Sequence, residues 1–406
     1  MCHSILCYAF VAAVLVSTLC AASPVVVRDS GISLPIAVNL KLNGSRIPDL
    51  DRARVAAHRD RHLGKRAASI DITNTFLLYT ASVGVGSPAT QYTLIVDTGS
   101  SNTFFGAKAA YTKTSTSKDT GLTVSVSYGT GQFSGEEYLD TVTLTSAITI
   151  SNQSIGVASS SSGFGGFDGI LGLGPTSLTV GTLSDPSASI PTVTDNLSVQ
   201  GTIDIDAVGV YFQPTTARNV KNGALTFGNA DASRYTGALT YTGLTTTSPA
   251  NAFWGIDQTV TYGTSATLLG NAPGIVDTGT KLLLLATDAF NAYRTATGAT
   301  HDSTTGMLKI SAANYANLQS LFFTIGGTTF EYTPNAQTWP RSLNVFIGGG
   351  SSSNIFLVVA DLGSNSGSGL DFVNGYVFLE RFYTHFDTTN SRFGIATTAH
   401  TLDTSN

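Results

Sequence analysis

Two short motifs carry residues that could perform acid–base chemistry. Ile95-Val96-Asp97-Thr98-Gly99-Ser100 recurs 180 residues later as Ile275-Val276-Asp277-Thr278-Gly279-Thr280, identical except at the last position. In each copy the apolar residues predict the end of a strand, and the glycine permits a tight turn directly after it. Two unrelated Asp-Gly turns would be an ordinary alternative, but the repeated flanks favour one structure that is used twice.

If the two turns face each other, the carboxyl groups of Asp97 and Asp277 lie side by side. Two close carboxylates do not both ionise readily, so such a pair holds one shared proton over an acidic range. One group can then take a proton from water while the other protonates a carbonyl oxygen. The motifs therefore predict amide hydrolysis without a covalent intermediate.

The composition indicates the kind of scaffold that must hold these turns. The chain has 406 residues, of which 42% are apolar and only 12% are charged, and it contains 42 glycines. Runs of strong helix formers are few, so short strands and many turns are expected. This apolar fraction supports a large core and speaks against disorder.

Charge is distributed unevenly along the chain. Residues 23–66, called the head from here on, carry a net charge of +5, whereas residues 67–406, the body, carry a net charge of −10. Nucleic-acid binding would require basic patches on the body, and none are evident. The split instead predicts a head that covers an acidic cleft at neutral pH and leaves it as the carboxylates protonate.

The first 22 residues have the features of a targeting segment. Residues 5–16 are mostly apolar and small residues follow near Ala22, which predicts a secretory signal peptide, although the segment lacks Lys and Arg. The alternative, a membrane anchor, needs about 20 apolar residues. All three cysteines lie here, so beyond residue 20 the chain has no cysteine nucleophile and no cysteine metal ligand.

The head has its own predicted elements. Residues 33–42 alternate between apolar and polar types, which predicts a strand, and residues 49–62 predict a polar helix rich in Arg and Ala. The head ends in the dibasic pair Lys65-Arg66, which suits a processing protease. A chance pair of charges in a loop is the alternative, but the position between head and body favours cleavage.

Further motifs lie in the body. Residues 91–96 form the strand that leads to Asp97, and residues 128–131, Tyr-Gly-Thr-Gly, predict a hairpin tip whose aromatic ring could close over a groove. Residues 168–174, Asp-Gly-Ile-Leu-Gly-Leu-Gly, predict a buried strand that packs closely against another backbone. We expect an N-terminal lobe over residues 67–245 and a C-terminal lobe over residues 246–406.

In this order and spacing, the motifs resemble those of pepsin-family aspartic endopeptidases, especially secreted fungal members. The resemblance covers most of residues 75–400 and includes Trp254-Gly255-Ile256 and residues 315–323 and 378–383 in the second half. It implies an all-β fold with two β-rich lobes and a central cleft, preceded by a signal peptide and a propeptide. It also implies a secreted, monomeric protease that is made as a zymogen and uses neither cofactor nor metal.

The resemblance implies roles for the residues of the two Asp motifs. Asp97 and Asp277 would hold the lytic water. The other motif residues would brace the pair across the lobes, allow close approach of substrate, or hydrogen-bond the outer carboxylate oxygens; these residues are Thr98 and Thr278, Gly99 and Gly279, and Ser100 and Thr280.

The resemblance also implies a substrate site for an extended protein or peptide chain. Tyr128 would close a flap whose Gly129 and Thr130 offer backbone groups to the substrate. Phe167 and Ile170 match apolar walls of substrate pockets, although plain core packing explains them equally well. Pepstatin-like inhibitors and the chain's own propeptide are the other implied partners; nucleic acids and membranes are not.

The sequence departs from the family pattern in three places. Phe104 stands where a Trp usually supports the flap tyrosine, so the Tyr128 hydroxyl is expected to use water or another partner. Lys281 replaces a small polar residue; it could favour acidic substrates, but an orientation toward solvent is the prediction. The usual Leu-Gly-Asp of the second lobe reads Asn374-Gly375-Tyr376, which we do not interpret as a loss of activity.

Other patterns are weaker or point elsewhere. Asn152 and Asn196 fit the N-glycosylation acceptor pattern. The six histidines show no metal-ligand spacing, and the glycine-rich runs lack the Lys of a phosphate loop. A binding or inhibitor protein with the same fold is the second interpretation. A glycosidase-like carboxylate pair is the third, but it leaves the duplicated motif unexplained.

Overall fold

The computed structural model describes residues 31–41, 46–62, 76–129, 131–264 and 266–406. The predicted signal peptide (residues 1–22), the dibasic pair Lys65-Arg66 and the flap residue Thr130 lie outside these ranges, so they stay predictions.

Most elements in the described ranges are strands. The strands of the first part are β1 (Ile32–Lys41), β2 (Phe76–Val85), β3 (Thr90–Asp97), β4 (Phe104–Phe105), β5 (Lys118–Tyr128), β6 (Gly131–Thr145), β7 (Ile148–Ser162), β8 (Gly169–Gly172), β9 (Ala207–Phe212), β10 (Val220–Phe227) and β11 (Thr236–Gly243).

The second part of the body is equally rich in strands. Its strands are β12 (Gly255–Tyr262), β13 (Ala266–Val276), β14 (Leu283–Leu285), β15 (Thr300–His301), β16 (Leu308–Ile310), β17 (Leu321–Ile325), β18 (Thr328–Tyr332), β19 (Ile355–Leu357), β20 (Val359–Asp361), β21 (Phe372–Asn374), β22 (Phe382–Asp387) and β23 (Arg392–Thr397).

The helices of the described ranges are short, apart from the one in the head. They are α1 (Ile47–His62), α2 (Val193–Val199), α3 (Thr287–Thr297), α4 (Ala312–Tyr315) and α5 (Tyr376–Leu379), with 3-10 turns at Thr176–Thr179, Ala250–Ala252 and Arg341–Ile347. The strands form a 13-stranded sheet in the order β11-β23-β22-β9-β10-β1-β2-β3-β8-β4-β7-β6-β5, a seven-stranded sheet in the order β18-β17-β12-β13-β21-β14-β20, and the three-stranded sheet β15-β16-β19. The predicted all-β architecture is confirmed.

The larger sheet contains strands from both ends of the chain. β22 pairs with β9, and β23 pairs with β11, so the last strands of the chain join a sheet built mainly from the first half. This arrangement ties the two halves of the body together in one sheet. The lobe boundary between residues 245 and 246 stays a prediction.

The head inserts a strand into the middle of this sheet. β1 pairs antiparallel with β10 on one side and with β2 on the other. Leu34, Ile36 and Val38 are all buried, as the alternating pattern predicts. The head strand is therefore a central strand with both edges paired, and its apolar face belongs to the main core.

The two Asp motifs end strands with the same local topology. β3, which ends at Asp97, runs parallel to β8, and β13, which ends one residue before Asp277, runs parallel to β21. The predicted buried strand within residues 168–174 is β8, confirmed over Gly169–Gly172. The repeated sequence motif thus corresponds to a repeated pair of parallel strands, each delivering an aspartate to the same end.

A buried glutamate in the body makes the stability of the fold depend on pH. Glu380, directly after α5, accepts a hydrogen bond of 3.1 Å from the Tyr79 hydroxyl at its Oε1 atom. Burial raises the pKa of Glu380 to about 8, while the Arg381 charge and the Tyr79 hydrogen bond act in the opposite direction. The carboxyl group is therefore protonated in the folded protein at acid and neutral pH.

This raised pKa predicts a loss of stability as the pH rises from about 4.5 to about 8. A raised carboxyl pKa contributes stability that is complete below the unfolded value of about 4.5 and is lost as the pH rises through about 8. Between pH 5 and pH 9 the loss is on the order of 4 kcal/mol for this group. In urea unfolding of the full chain, Glu380→Gln should flatten the loss of stability between about pH 5 and pH 8, whereas Glu331→Gln, at an exposed site, should keep the wild-type profile. An unchanged profile in Glu380→Gln would contradict the assignment.

Candidate active site

The two motif aspartates, called the aspartate pair below, are buried and held by equivalent hydrogen bonds. The Gly99 N–H donates to Asp97 Oδ1 and the Gly279 N–H donates to Asp277 Oδ1, both at 2.9 Å. The Ser100 hydroxyl donates to Asp97 Oδ2 at 2.5 Å, and the Thr280 hydroxyl donates to Asp277 Oδ2 at 2.6 Å. Each carboxylate is thus fixed by its own turn in the orientation that the repeated motif predicts.

The two turns are also bonded to each other. The backbone N–H of Thr98 donates to Thr278 Oγ1 at 2.9 Å, and the backbone N–H of Thr278 donates to Thr98 Oγ1 at 3.0 Å. Each hydroxyl then donates to a carbonyl of the opposite strand, at Val276 and Val96. Because all these groups are buried and satisfied, the turns form a rigid symmetric unit.

The glycines of the motifs let the aspartates approach closely. A side chain at Gly99 would place its Cβ 2.6 Å from Asp277 Oδ1, and one at Gly279 would place it 2.6 Å from Asp97 Oδ1. Both distances are too short for any other residue. The two carboxyl groups therefore face each other across the interface, as the sequence predicts.

A cation from the head bridges the aspartate pair. Arg54 Nε lies 2.7 Å from Asp277 Oδ2, and Arg54 Nη2 lies 2.5 Å from Asp97 Oδ1 and 3.1 Å from Asp277 Oδ1. His58, one turn later, approaches Asp277 Oδ2 at 3.6 Å. Burial acts to raise the pKa of Asp277, but the charge and hydrogen bonds of Arg54, with the nearby His58 ring, outweigh it and hold that pKa well below its usual range.

Three more contacts dock α1 in the cleft. Asp51 accepts hydrogen bonds from the backbone N–H groups of Lys281 and Leu282. Arg59 donates to the Leu370 carbonyl at 2.8 Å. At the flap tip, a side chain at Gly129 would come within 2.2 Å of the α1 backbone. The helix therefore occupies the space between the flap and the aspartate pair.

Sequence reasoning predicted this helix but not its individual contacts. It begins at Ile47, two residues before the predicted start. Asp51, Arg54 and His58 follow the i, i+3, i+7 spacing of one helical face, and this was the signal that could have identified them. The net charge of the head predicted that the head covers the cleft, but it did not identify which residues contact the cleft.

The prediction that Lys281 points to solvent is wrong. Its side chain is only 6% exposed. Its Nζ atom lies 3.5 Å from Asp51 Oδ1, so α1 covers it and supplies its counter-charge. Lys281 lies close to the aspartate pair and becomes accessible to solvent only when the head is absent. The sequence of the body does not show that Asp51 of the head is its partner.

The flap forms as predicted, with its tyrosine among aromatic rings. β5 and β6 make the hairpin, and the half-buried Tyr128 stands at the end of β5. Its ring contacts those of Phe104, Phe133 and Phe164 at centroid distances of 6.3, 6.5 and 5.6 Å. Phe104 therefore supports the flap by ring packing, in place of the indole usual in the family. The partner of the Tyr128 hydroxyl stays a prediction.

Phe167 and Ile170 lie in the same apolar cluster as these rings. Both are buried, at 4% and 3% exposure, and Ile170 pairs with Ile95 and Phe104 on neighbouring strands. With the head in place they serve as packing beneath the flap. A pocket role for them stays a prediction.

Truncating Phe104 is expected to loosen the flap. This ring is fully buried and stacks on Phe133 at 3.9 Å, so Phe104→Ala should lower the free energy of unfolding by about 3–5 kcal/mol. Amide exchange should rise in residues 124–133 more than elsewhere in the sheet. Tyr111→Ala, at a less buried aromatic outside the flap, is the matched control. Equal exchange in both variants would contradict the supporting role of Phe104.

The third departure from the family pattern is accommodated in the core. Asn374 and Gln258 exchange amide hydrogen bonds of 3.3 and 2.9 Å, and both side chains are fully buried. The Asn374 carbonyl accepts from the Asp277 N–H at 3.1 Å. This segment therefore supports the second aspartate, as β8 supports the first.

The candidate glycosylation sites differ in access. Asn152 is exposed, and its Oδ1 accepts from Lys118, whereas Asn196 lies within α2 and donates its amide to Gln153. Among the described residues, no group of three or more His, Cys, Asp or Glu side chains could hold a metal ion. In the same ranges, no helix has the length and apolar character needed to cross a membrane.

Comparison with known proteins places this geometry in a family. The profile described as "Eukaryotic aspartyl protease" matches residues 78–398. The chain is 62% identical to polyporopepsin of Irpex lacteus over 341 residues, which span 84% of this chain and all of that protein. It is 30% identical to pepsin A of Bos taurus over 340 residues, 79% of this chain and 84% of the bovine one.

A solved structure agrees with these matches. The crystal structure of the aspartic proteinase from Irpex lacteus superposes with a TM-score of 0.81 and 55% identity, over 93% of this chain and all of the other. The predicted two-lobed fold is therefore confirmed. The chain belongs to the pepsin-like family of eukaryotic aspartyl proteases and is an aspartic endopeptidase, a hydrolase that acts on peptide bonds.

Proposed function

We propose that this protein is a secreted zymogen whose activated form cleaves extended peptides at acidic pH. The observation that carries the proposal is the symmetric aspartate pair occupied by Arg54 of the head. A guanidinium group bound there excludes a substrate carbonyl from the same space. The positive charge also keeps Asp277 ionised, so the pair cannot hold a shared proton while the head is bound.

Asp97 and Asp277 are the proposed catalytic residues. With the head removed, their inner oxygens face each other without a cation, and one shared proton becomes favourable, in keeping with the known behaviour of aspartic-protease dyads. The ionised group removes a proton from a bound water, which attacks the peptide carbonyl. The protonated group donates its proton to the carbonyl oxygen, which gives a neutral tetrahedral diol. The first carboxyl group then gives the proton taken from water to the nitrogen, the second takes a proton from a hydroxyl of the diol, and the C–N bond breaks to release an amine and a carboxylic acid.

The surrounding residues support this chemistry. Thr98 and Thr278 keep the two turns in register, and Ser100 and Thr280 hold the outer carboxylate oxygens. The flap with Tyr128 would close over substrate where α1 now lies, with Gly129 and Thr130 offering backbone groups. Pepstatin-like inhibitors are expected to compete for the same space. We expect the enzyme to act as a monomer.

The effect of pH on the head follows from the charges that it covers. The pKa of Asp277 is lower with Arg54 bound than in an open cleft, so this ion pair favours closure above the ordinary aspartate pKa and loses strength as the pH falls below about 4. Burial raises the pKa of Asp51, which acts in the opposite direction. Opening in acid therefore requires that the Arg54 interaction dominates.

The test is cleavage of denatured haemoglobin by the full chain from pH 2 to pH 7, with pepstatin as inhibitor. We expect activity below about pH 5, loss of the head, and inhibition by pepstatin. An intact, inactive chain at acid pH would refute self-activation, and an added protease specific for Lys65-Arg66 would then be the required activator. No activity even after processing would favour the binding-protein interpretation.

A further inference from the structure

We propose that Lys281 and the two backbone N–H groups beside it form a binding site for a substrate carboxylate, so that the activated enzyme selects peptides with Asp or Glu near the scissile bond. The inference rests on the proposed function, because it assigns a specificity to the same cleft. In the structure this site is filled by Asp51 of the head.

Three donors converge on the Asp51 carboxylate. The Leu282 N–H donates to Oδ2 at 2.8 Å, and the Lys281 N–H lies 3.2 Å from both oxygens. The Lys281 ammonium adds an ion pair at 3.5 Å. Asp51 is fully buried in this position. A carboxylate with two backbone donors and a cation is a built recognition site, and all three donors belong to the body.

The site is held in shape without the head. The carbonyls of Thr280 and Lys281 accept hydrogen bonds from the backbone N–H groups of Tyr376 and Val377, at 2.8 and 3.2 Å. The loop also packs so closely on Gly375 that a side chain there would lie 2.3 Å from the Leu282 carbonyl oxygen. Since the carbonyls are fixed on this side, the N–H groups of residues 281 and 282 remain directed into the cleft when α1 leaves.

The position relative to the aspartate pair defines where the acidic residue would lie. Asp51 and Arg54 are three residues apart on one face of α1, a rise of about 5 Å along the helix. Arg54 contacts both aspartates, and Lys281 follows directly after Thr280, which bonds Asp277. In an extended peptide, a residue displaced from the cut by this distance lies within about three residues of the scissile bond.

The charges that face the site determine its response to pH. Among the described residues, Lys281, Asp277 and the Tyr376 hydroxyl are titratable groups that interact with Asp51. Burial under α1 raises the pKa of Asp51, whereas Lys281 and the two N–H groups favour its ionised form. An open cleft leaves a substrate carboxylate in contact with water, which reduces the burial effect. The preference should therefore be strongest above the ordinary aspartyl pKa of about 4.

The experiment compares matched peptides that differ only by Asp or Asn. A fluorogenic peptide carries one or the other at each of the three positions on either side of the cut, and kcat/KM is measured with enzyme activated from the full chain. At pH 5 we expect the Asp peptide to be cleaved about tenfold faster than its Asn partner at one position. At pH 3 the ratio should approach one, because the substrate carboxyl is protonated.

Variants identify the residue responsible. Lys281→Ser should bring the Asp:Asn ratio at pH 5 close to one, and Lys281→Arg should restore most of it. Lys118→Ser, at an exposed lysine distant from the tip of the flap, should keep the wild-type ratio. A ratio near one at all six positions in wild type, or an unchanged ratio in Lys281→Ser, would overturn the inference. Failure to cleave any peptide would instead count against the proposed function.

Discussion

Asp97→Asn is expected to lower kcat by about 10³-fold or more while leaving the fold intact. An amide cannot take a proton from water, and loss of general acid–base catalysis has an effect of this size. The change is almost isosteric. The Gly99 N–H can still donate to the amide oxygen, and the Ser100 hydroxyl can rotate to accept from the amide nitrogen.

The measurement is peptide hydrolysis at acid pH together with thermal unfolding, both after an added protease specific for Lys65-Arg66 has cleaved off the head, because an inactive variant cannot remove its own head. Asp204→Asn is the matched control, because it makes the same chemical change at an exposed aspartate. We expect the control to keep wild-type activity and both variants to unfold within a few degrees of wild type. Residual activity above one tenth in a folded Asp97→Asn sample would mean that Asp97 does not act as acid or base.

Arg54→Gln is expected to raise the initial activity of the uncleaved chain by about 100-fold. The guanidinium neutralises two buried carboxylates, and removal of one partner from a buried charge pair destabilises by about 3–5 kcal/mol. This destabilisation weakens the docking of α1 in the cleft and leaves β1 paired in the sheet. The cleft therefore opens more often. Amide exchange within residues 47–62 should rise in parallel.

The assay is cleavage of a fluorogenic peptide at pH 5, followed over the first minutes before the head is removed. Arg52→Gln is the matched control on the same helix, since Arg52 is partly exposed and pairs only with Asp49 among the salt bridges of the described residues. It should change the initial rate less than about threefold, as expected for an exposed pair. Equal rates in Arg54→Gln and wild type would show that other contacts suffice to close the cleft.

Much of the body could be predicted because its signals are local. The strands before Asp97 and Asp277 were indicated by apolar runs that end at a glycine turn. Duplication of the motif then implied a symmetric site. The aspartates accept hydrogen bonds from Gly99, Gly279, Ser100 and Thr280, which lie only two or three residues further along the chain. Each motif of six residues therefore includes most of the groups that orient its own aspartate.

The head shows where local signals end. Its strand and helix were predicted from alternation and composition, but the register of α1 over the cleft depends on partners far along the chain. Arg54 meets Asp97 across 43 residues and Asp277 across 223. The i, i+3, i+7 spacing groups Asp51, Arg54 and His58 on one helical face, but it does not specify that this face, rather than one with another arginine, reaches the aspartate pair.

Lys281 is a residue of the body whose contacts could likewise not be predicted from its local sequence. A lysine next to a turn is expected in water, since burial of an unpaired charge is costly. Asp51 lies 230 residues earlier and removes that cost by covering the lysine with a counter-charge. The sequence by itself determined the strands, the paired motif and the family. Only the tertiary structure decided which charges of the head meet which charges of the cleft, because ion pairs form between side chains that folding brings together and carry no local pattern.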